Sequence, residues 1–196
     1  SGGGPDGTFL IDNDPSRKGE ANYRSATAGY FAAMRIPLLR GRMFDESDKF
    51  EAPNAALISQ SVARKYWPNE EPIGQTIQFG NMDGDLRLLT IVGIVADTHE
   101  YGLDAPPRPT VYVNLLQRPR AAITLTMLSD GDTGSIVAAA RGILRDLDPE
   151  IPARFRTFPQ IYSASLGSRR FNALLIGFFG ITALLHQQGR RVVLVF

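Results

Sequence analysis

The side chains that could do chemistry are few. The chain holds two histidines, His99 and His186, far apart in sequence, and no cysteine. Absence of cysteine removes thiol nucleophiles, Cys-ligated zinc and iron–sulfur clusters together. Asp97-Thr98-His99-Glu100 places three potential metal ligands in one loop, without the second histidine at helical spacing that an H-E-x-x-H site needs. It reads as an exposed loop. Ser168 in Gly167-Ser168-Arg169-Arg170 lacks the following glycine of a nucleophile elbow. Gly131-Asp132-Thr133-Gly134-Ser135 is followed by no lysine, so it reads as a turn and helix cap rather than a phosphate loop. Gly2-Gly3-Gly4 follows no strand. Asn81, Asp83 and Asp85 alternate like the opening of a calcium loop. Leu86 stands where that loop requires glycine, however, and Val92 where it requires the closing acid. They read as hairpin-tip carboxylates. Asp45, Glu46 and Asp48 are expected to form a solvated turn, with one acid free to cap the next segment of chain. No catalytic, cofactor-binding or metal-ligating residue is assigned, and no acid–base pair.

Composition agrees with that thin inventory. The 196 residues are 43% hydrophobic and 21% charged, with 19 Gly and 13 Pro, enough chain for one domain or two small ones with a real core. A formal net charge of +1 argues against a globally basic nucleic-acid binder. The charge is unevenly spread. Residues 151–196 carry Arg154, Arg156, Arg169, Arg170, Arg190 and Arg191 and no acid, while every Asp and Glu lies in residues 1–150. The chain opens on Ser1, not Met, which reads as a start inside a longer protein.

The elements that must position these residues emerge from periodicity and punctuation. Thr8–Ile11 reads as a short strand, Asp12–Glu20 as polar and irregular, and Ala21–Arg24 as strand-like. Thr27 is placed to cap a helix over Ala28–Arg35, which Pro37 halts because proline disfavours helix at Ile36. Leu38–Arg42 leaves as an extended or turning segment. Ala55–Ile58 is a strand, and Ser59 the cap of a helix to Trp67. There Val62 and Tyr66, and Ala63 and Trp67, make an apolar stripe. Ile77 and Phe79 alternate with polar neighbours, and a Gly80–Asp85 turn returns the chain as Leu86–Ala96, a hairpin. Thr110–Leu116 is another strand. Ile123, Leu125 and Met127 alternate as in a strand. Ile136, Ala140, Ile143 and Leu147 mark an amphipathic helix, and Ala153–Phe158 reads as a final strand. Strand, helix, strand is a βαβ-like unit.

The expected fold class is α+β. A strand–helix piece over 21–36 and the βαβ-like piece over 123–158 bracket a middle block with its own helix and hairpin. The expected division is 1–45 as the first part of one subdomain, 46–117 as an inserted smaller α/β subdomain, and 118–165 as the second part of the first. Residues 166–185 then hold the start of a membrane helix and 186–196 an atypical tail. Phe171–Leu185 is fifteen residues without a formal charge. At 1.5 Å per residue it covers ~22 Å, short of the ~30 Å hydrocarbon core. Apolar residues decorate every side of that helix, as in a segment fully buried or in lipid.

Several motifs, in order, resemble a known family. They are Tyr30-Phe31, Ile36-Pro37-Leu38-Leu39-Arg40-Gly41-Arg42-Met43-Phe44 with Asp48, Ala63-Arg64-Lys65-Tyr66-Trp67-Pro68 and Pro72-Ile73-Gly74. Next along the chain come Ile91-Val92-Gly93-Ile94-Val95-Ala96-Asp97, Val111-Tyr112-Val113 with Gln117, Leu147-Asp148-Pro149 with Pro152, and Ser168-Arg169-Arg170-Phe171. The order and spacing are similar to the MacB-like periplasmic core domain of FtsX/MacB-type ABC transporter permeases, and within them to the second core domain of permeases with duplicated FtsX-like halves.

That resemblance implies a porter-like subdomain carrying an insertion, set between transmembrane helices on the periplasmic side of the inner membrane. It implies a non-catalytic role without cofactor: coupling of cytoplasmic ATP hydrolysis to handling of a substrate or adaptor outside the membrane. The partners implied are the membrane, a cognate ABC ATPase, a periplasmic adaptor and a second copy of the full permease; nucleic acid is not among them. Gly41, Gly74 and Gly93 are expected to serve turns or close packing, and Phe31 and Trp67 the core. The family pattern continues apolar after Leu185, whereas here His186–Arg191 interrupts it. Two other readings compete with this one: a membrane-tethered binding module without an ATPase, and a small α+β hydrolase using the Asp97–Glu100 loop.

Overall fold

In the computed structural model, residues 6–80, 85–98, 106–120, 122–150 and 152–157 are described. β1 (Asp6–Ile11) and β2 (Asp14–Ala26) form an antiparallel hairpin, with Ile11 opposite Asp14. The two-residue turn between them, Asp12-Asn13, has φ of 50° and 57°, the doubly left-handed geometry that matches the twist of a tight hairpin and that Asn and Asp tolerate best. The stretch Asp12–Glu20, expected to be irregular, is therefore mostly strand. Its polar side chains sit on a solvent-facing strand paired through Phe9–Gly19 and Thr8–Glu20, so composition conceals what cross-strand pairing imposes.

α1 (Ala28–Ala33) comes next and ends two residues before the expected limit. Arg35 donates its N–H to Ala32 O and Ile36 to Phe31 O, and Arg35 has φ 53°. This is a Schellman ending with arginine in the left-handed position usually held by glycine. Ile36 and Phe31 are both buried in one cluster, the apolar contact that closes such a motif. β3 (Leu38–Gly41), β4 (Asn54–Ser59), α2 (Gln60–Tyr66), β5 (Thr76–Gln78), β6 (Leu89–Val95), β7 (Thr110–Asn114) and α3 (Thr133–Leu147) complete the described elements.

The seven strands are ordered β3-β6-β4-β7-β2-β1-β5, with a further β6–β5 pairing. That pairing closes β6, β4, β7, β2, β1 and β5 into a ring. The β2–β7 and β4–β6 pairs are parallel and the others antiparallel. Because Asn22–Ala26 are hydrogen-bonded to Thr110–Asn114, the sheet runs across the boundary expected at residue 46. The chain forms two compact units, Ser1–Leu128 and Ser129–Phe196.

β4 and β7 are buried along their whole length, which requires apolar cover on both faces. One face holds Phe9, Tyr23, Trp67, Ile77, Phe79, Ile91 and Val111, joined by Ala56 and Ile58 of β4. The other holds Ala26, Phe31, Phe44, Val95 and Tyr112, with Ala55 and Leu57. Alternate residues of one strand thus enter different cores. Aromatic edge contacts knit each, with Phe9 to Tyr66 at 5.2 Å and Phe31 to Tyr112 at 5.0 Å between ring centroids. Full burial of one such side chain stabilises the fold by ~2–3 kcal/mol. Phe31 and Trp67 are core residues.

The second unit contains α3, whose N-terminus is capped by Asp132, its carboxylate accepting the Ser135 N–H at 2.8 Å. Residues 123–127 and 152–157 are not strands. Ile123, Leu125 and Met127 are exposed. Alternation supplies a two-faced pattern, but a strand also needs a neighbouring backbone to take its hydrogen bonds, and no described segment pairs with either stretch. The βαβ expected over 123–158 is thus represented by its helix, with Phe158 outside the described residues. The apolar run Phe171–Leu185, Ser168, His186 and the tail also lie outside them. Among the described residues no helix is long and apolar enough to cross a membrane.

Candidate functional site

The strand directions send the segments 42–53, 79–88 and 115–120 to the same end of the ring. There the polar residues meet. Arg42 forks onto Asp48, with Nη1–Oδ2 and Nη2–Oδ1 both 2.8 Å, and Asp48 Oδ2 also accepts the Asp45 N–H at 2.9 Å. Asp48 is 4% exposed, so the solvated acidic turn expected over 45–48 is corrected at this residue. A carboxylate is buried only where cations and N–H groups replace water. The same pairing raises the Arg42 pKa above its ordinary value, the Asp48 hydrogen bonds being the main cause. Asp45 instead folds onto Ser47, whose hydroxyl and N–H hold its pKa down.

Two side chains after β7 tie this end together. Gln117 Oε1 accepts the Ala55 N–H at 2.8 Å, while its Nε2 donates to Lys49 O and Pro53 O at 3.1 and 3.0 Å. The buried guanidinium of Arg118 donates to Asp85 O at 3.2 Å and Arg87 O at 2.7 Å, and stands 3.5 Å from the Tyr23 hydroxyl. Asp85 carries a forked Arg87 on its carboxylate and lies 3.6 Å from Arg118 Nε. These hydrogen bonds from Arg87, with the charge of Arg118 behind them, lower its pKa to about 2. Asp85, read from the sequence as a hairpin-tip carboxylate, is the anion of an arginine cluster. Asn81 and Asp83 lie outside the described residues.

At the opposite end, Asp97 Oδ1 accepts the Ser61 N–H at 2.8 Å. Asp97 therefore satisfies the first turn of α2, and the expected cap, Ser59, makes no such bond. The Ser59 hydroxyl is taken by the Thr110 N–H at 3.0 Å, a bond that exists only because β4 and β7 are neighbours. His99 and Glu100 lie outside the described residues. Among those described, no three His, Cys, Asp or Glu side chains gather in a way that could hold a metal.

The glycines expected to permit close packing do so. Gly41 and Gly93 are cross-strand partners. A Cβ on Gly41 would lie 2.3 Å from Val92 O, and one on Gly93 2.4 Å from Arg42 O. Gly74, with φ 90°, supplies a left-handed turn from which its N–H reaches Ile91 O at 2.8 Å. Sequence reasoning missed the roles of Arg118 and Asn114, whose side-chain amide donates to Asp48 O. Neither residue type carries a local signal for a contact more than thirty residues away. Gln117 was visible only as a motif position.

The site is thus one end of a mixed sheet flanked by short helices, its polar residues bound to one another and to loop backbone. The fold is similar to the crystal structure of the periplasmic region of MacB from Actinobacillus actinomycetemcomitans, with TM-score 0.54 at 17% identity over 73% of this chain and 63% of that one. It is also similar to a permease-protein domain from Porphyromonas gingivalis, with TM-score 0.50 at 15% identity over 82% and 78%. The chain belongs to the MacB-like periplasmic core domain family, whose model matches residues 7–143. Over 74 residues it is 34% identical to the macrolide export ATP-binding/permease protein MacB of Neisseria gonorrhoeae and of Neisseria meningitidis. That match spans 37% of this chain and 11% of each relative.

Proposed function

We propose that this chain is the extracytoplasmic domain of an ABC transporter permease held in the cytoplasmic membrane, and that it transmits movement rather than catalysing a reaction. The observation carrying this reading is the family match over residues 7–143, which covers all of the closed sheet but its first residue. A rigid sheet with two cores suits a body displaced as a unit when a cognate cytoplasmic ATPase closes. Asp48, Asp85 and Asp97 at its two ends are engaged by arginines or backbone N–H groups. In this reading those groups hold shape, and an adaptor or substrate meets the surface that they brace. A homodimer of the full permease fits the same scheme, as does a membrane segment over Phe171–Leu185.

The test is alkaline-carbonate extraction of the native full-length protein, combined with protease applied from outside the cytoplasmic membrane. Retention in the membrane with cleavage within residues 80–110 is the expected result. Release by carbonate, or protection of the domain, overturns the placement. Co-purification of an ATPase separates this reading from a tethered binding module that lacks one.

A further inference from the structure

We draw no further inference here: the strongest candidate, the cleft that Pro149, Ala153 and Phe155 form against Arg141 and Arg145 in the C-terminal half of α3, carries nothing, because Asp148 lines it beside the two arginines and nothing in the structure shows what occupies it.

Discussion

Gly41 and Gly93 face each other across β3 and β6 with no room for a side chain on either. The space a Cβ would need is filled by backbone, Val92 O on one side and Arg42 O on the other, and neither carbonyl can swing aside without breaking the pairing. Gly41 also has φ 77°, where side chains are strained. Gly93→Ala is expected to destabilise the protein by about 2–3 kcal/mol through overpacking, and Gly41→Ala by about 3 kcal/mol or more. Urea-unfolding midpoints measure both; a loss below about 1 kcal/mol at Gly93 would show that the two strands can move apart.

The Arg42–Asp48 fork predicts an asymmetry. Arg42 is 44% exposed on its side chain and Asp48 only 4%. Removing the arginine strands a buried carboxylate, at a cost of about 3 kcal/mol, whereas Asp48→Ala releases a guanidinium that water can reach, costing about 1–2 kcal/mol. Chemical denaturation of the two alanine variants checks the order, and equal losses contradict the account.

Arg35 occupies the left-handed position of the Schellman ending after α1. Its side chain is exposed, so Arg35→Gly should remove strain without removing packing, raising stability by about 1 kcal/mol. Thermal unfolding reads the gain. A lower midpoint would mean that Arg35 makes a contact worth more than the strain.

Asp85 sets an acid-side dependence. Its folded pKa of about 2 lies below the ordinary 3.8, so the folded state binds the proton less readily than the unfolded chain does. The resulting stabilisation is fully present above about pH 4 and is lost as pH falls through about 2, roughly 1–2 kcal/mol after allowance for partial exposure. The stability gap between wild type and Asp85→Asn should therefore shrink steadily between about pH 4 and pH 2. A gap that stays constant over that range would remove Asp85 from the linkage.

Local pattern accounts for most of the elements. Apolar runs at 55–58, 89–95 and 110–114 became strands, and the four-three-four spacing of Ile136, Ala140, Ile143 and Leu147 became α3. Pattern failed where an element needs a partner. Polar Asp14–Glu20 is a strand because β1 lies beside it, and apolar, alternating 123–127 is not one among the described residues because nothing described pairs with it. The polar site was less legible for the same reason. Asp97 caps a helix whose nearest residue is more than thirty positions away, and Ser59 turns to Thr110 instead of its own helix.

By itself the sequence determined what could be buried, where the chain must turn, and which family the ordered motifs resemble. Periodicity and backbone restriction are local, set by a residue and a few neighbours. Only the tertiary structure decided which carboxylates became structural anions, that the sheet closes across the expected domain boundary, and that Gln117 and Arg118 tie the segments before β4 and β6 to the end of β7. A hydrogen bond or ion pair forms with whatever the fold brings within about 3 Å, and here the fold joins residues 31 and 95 positions apart.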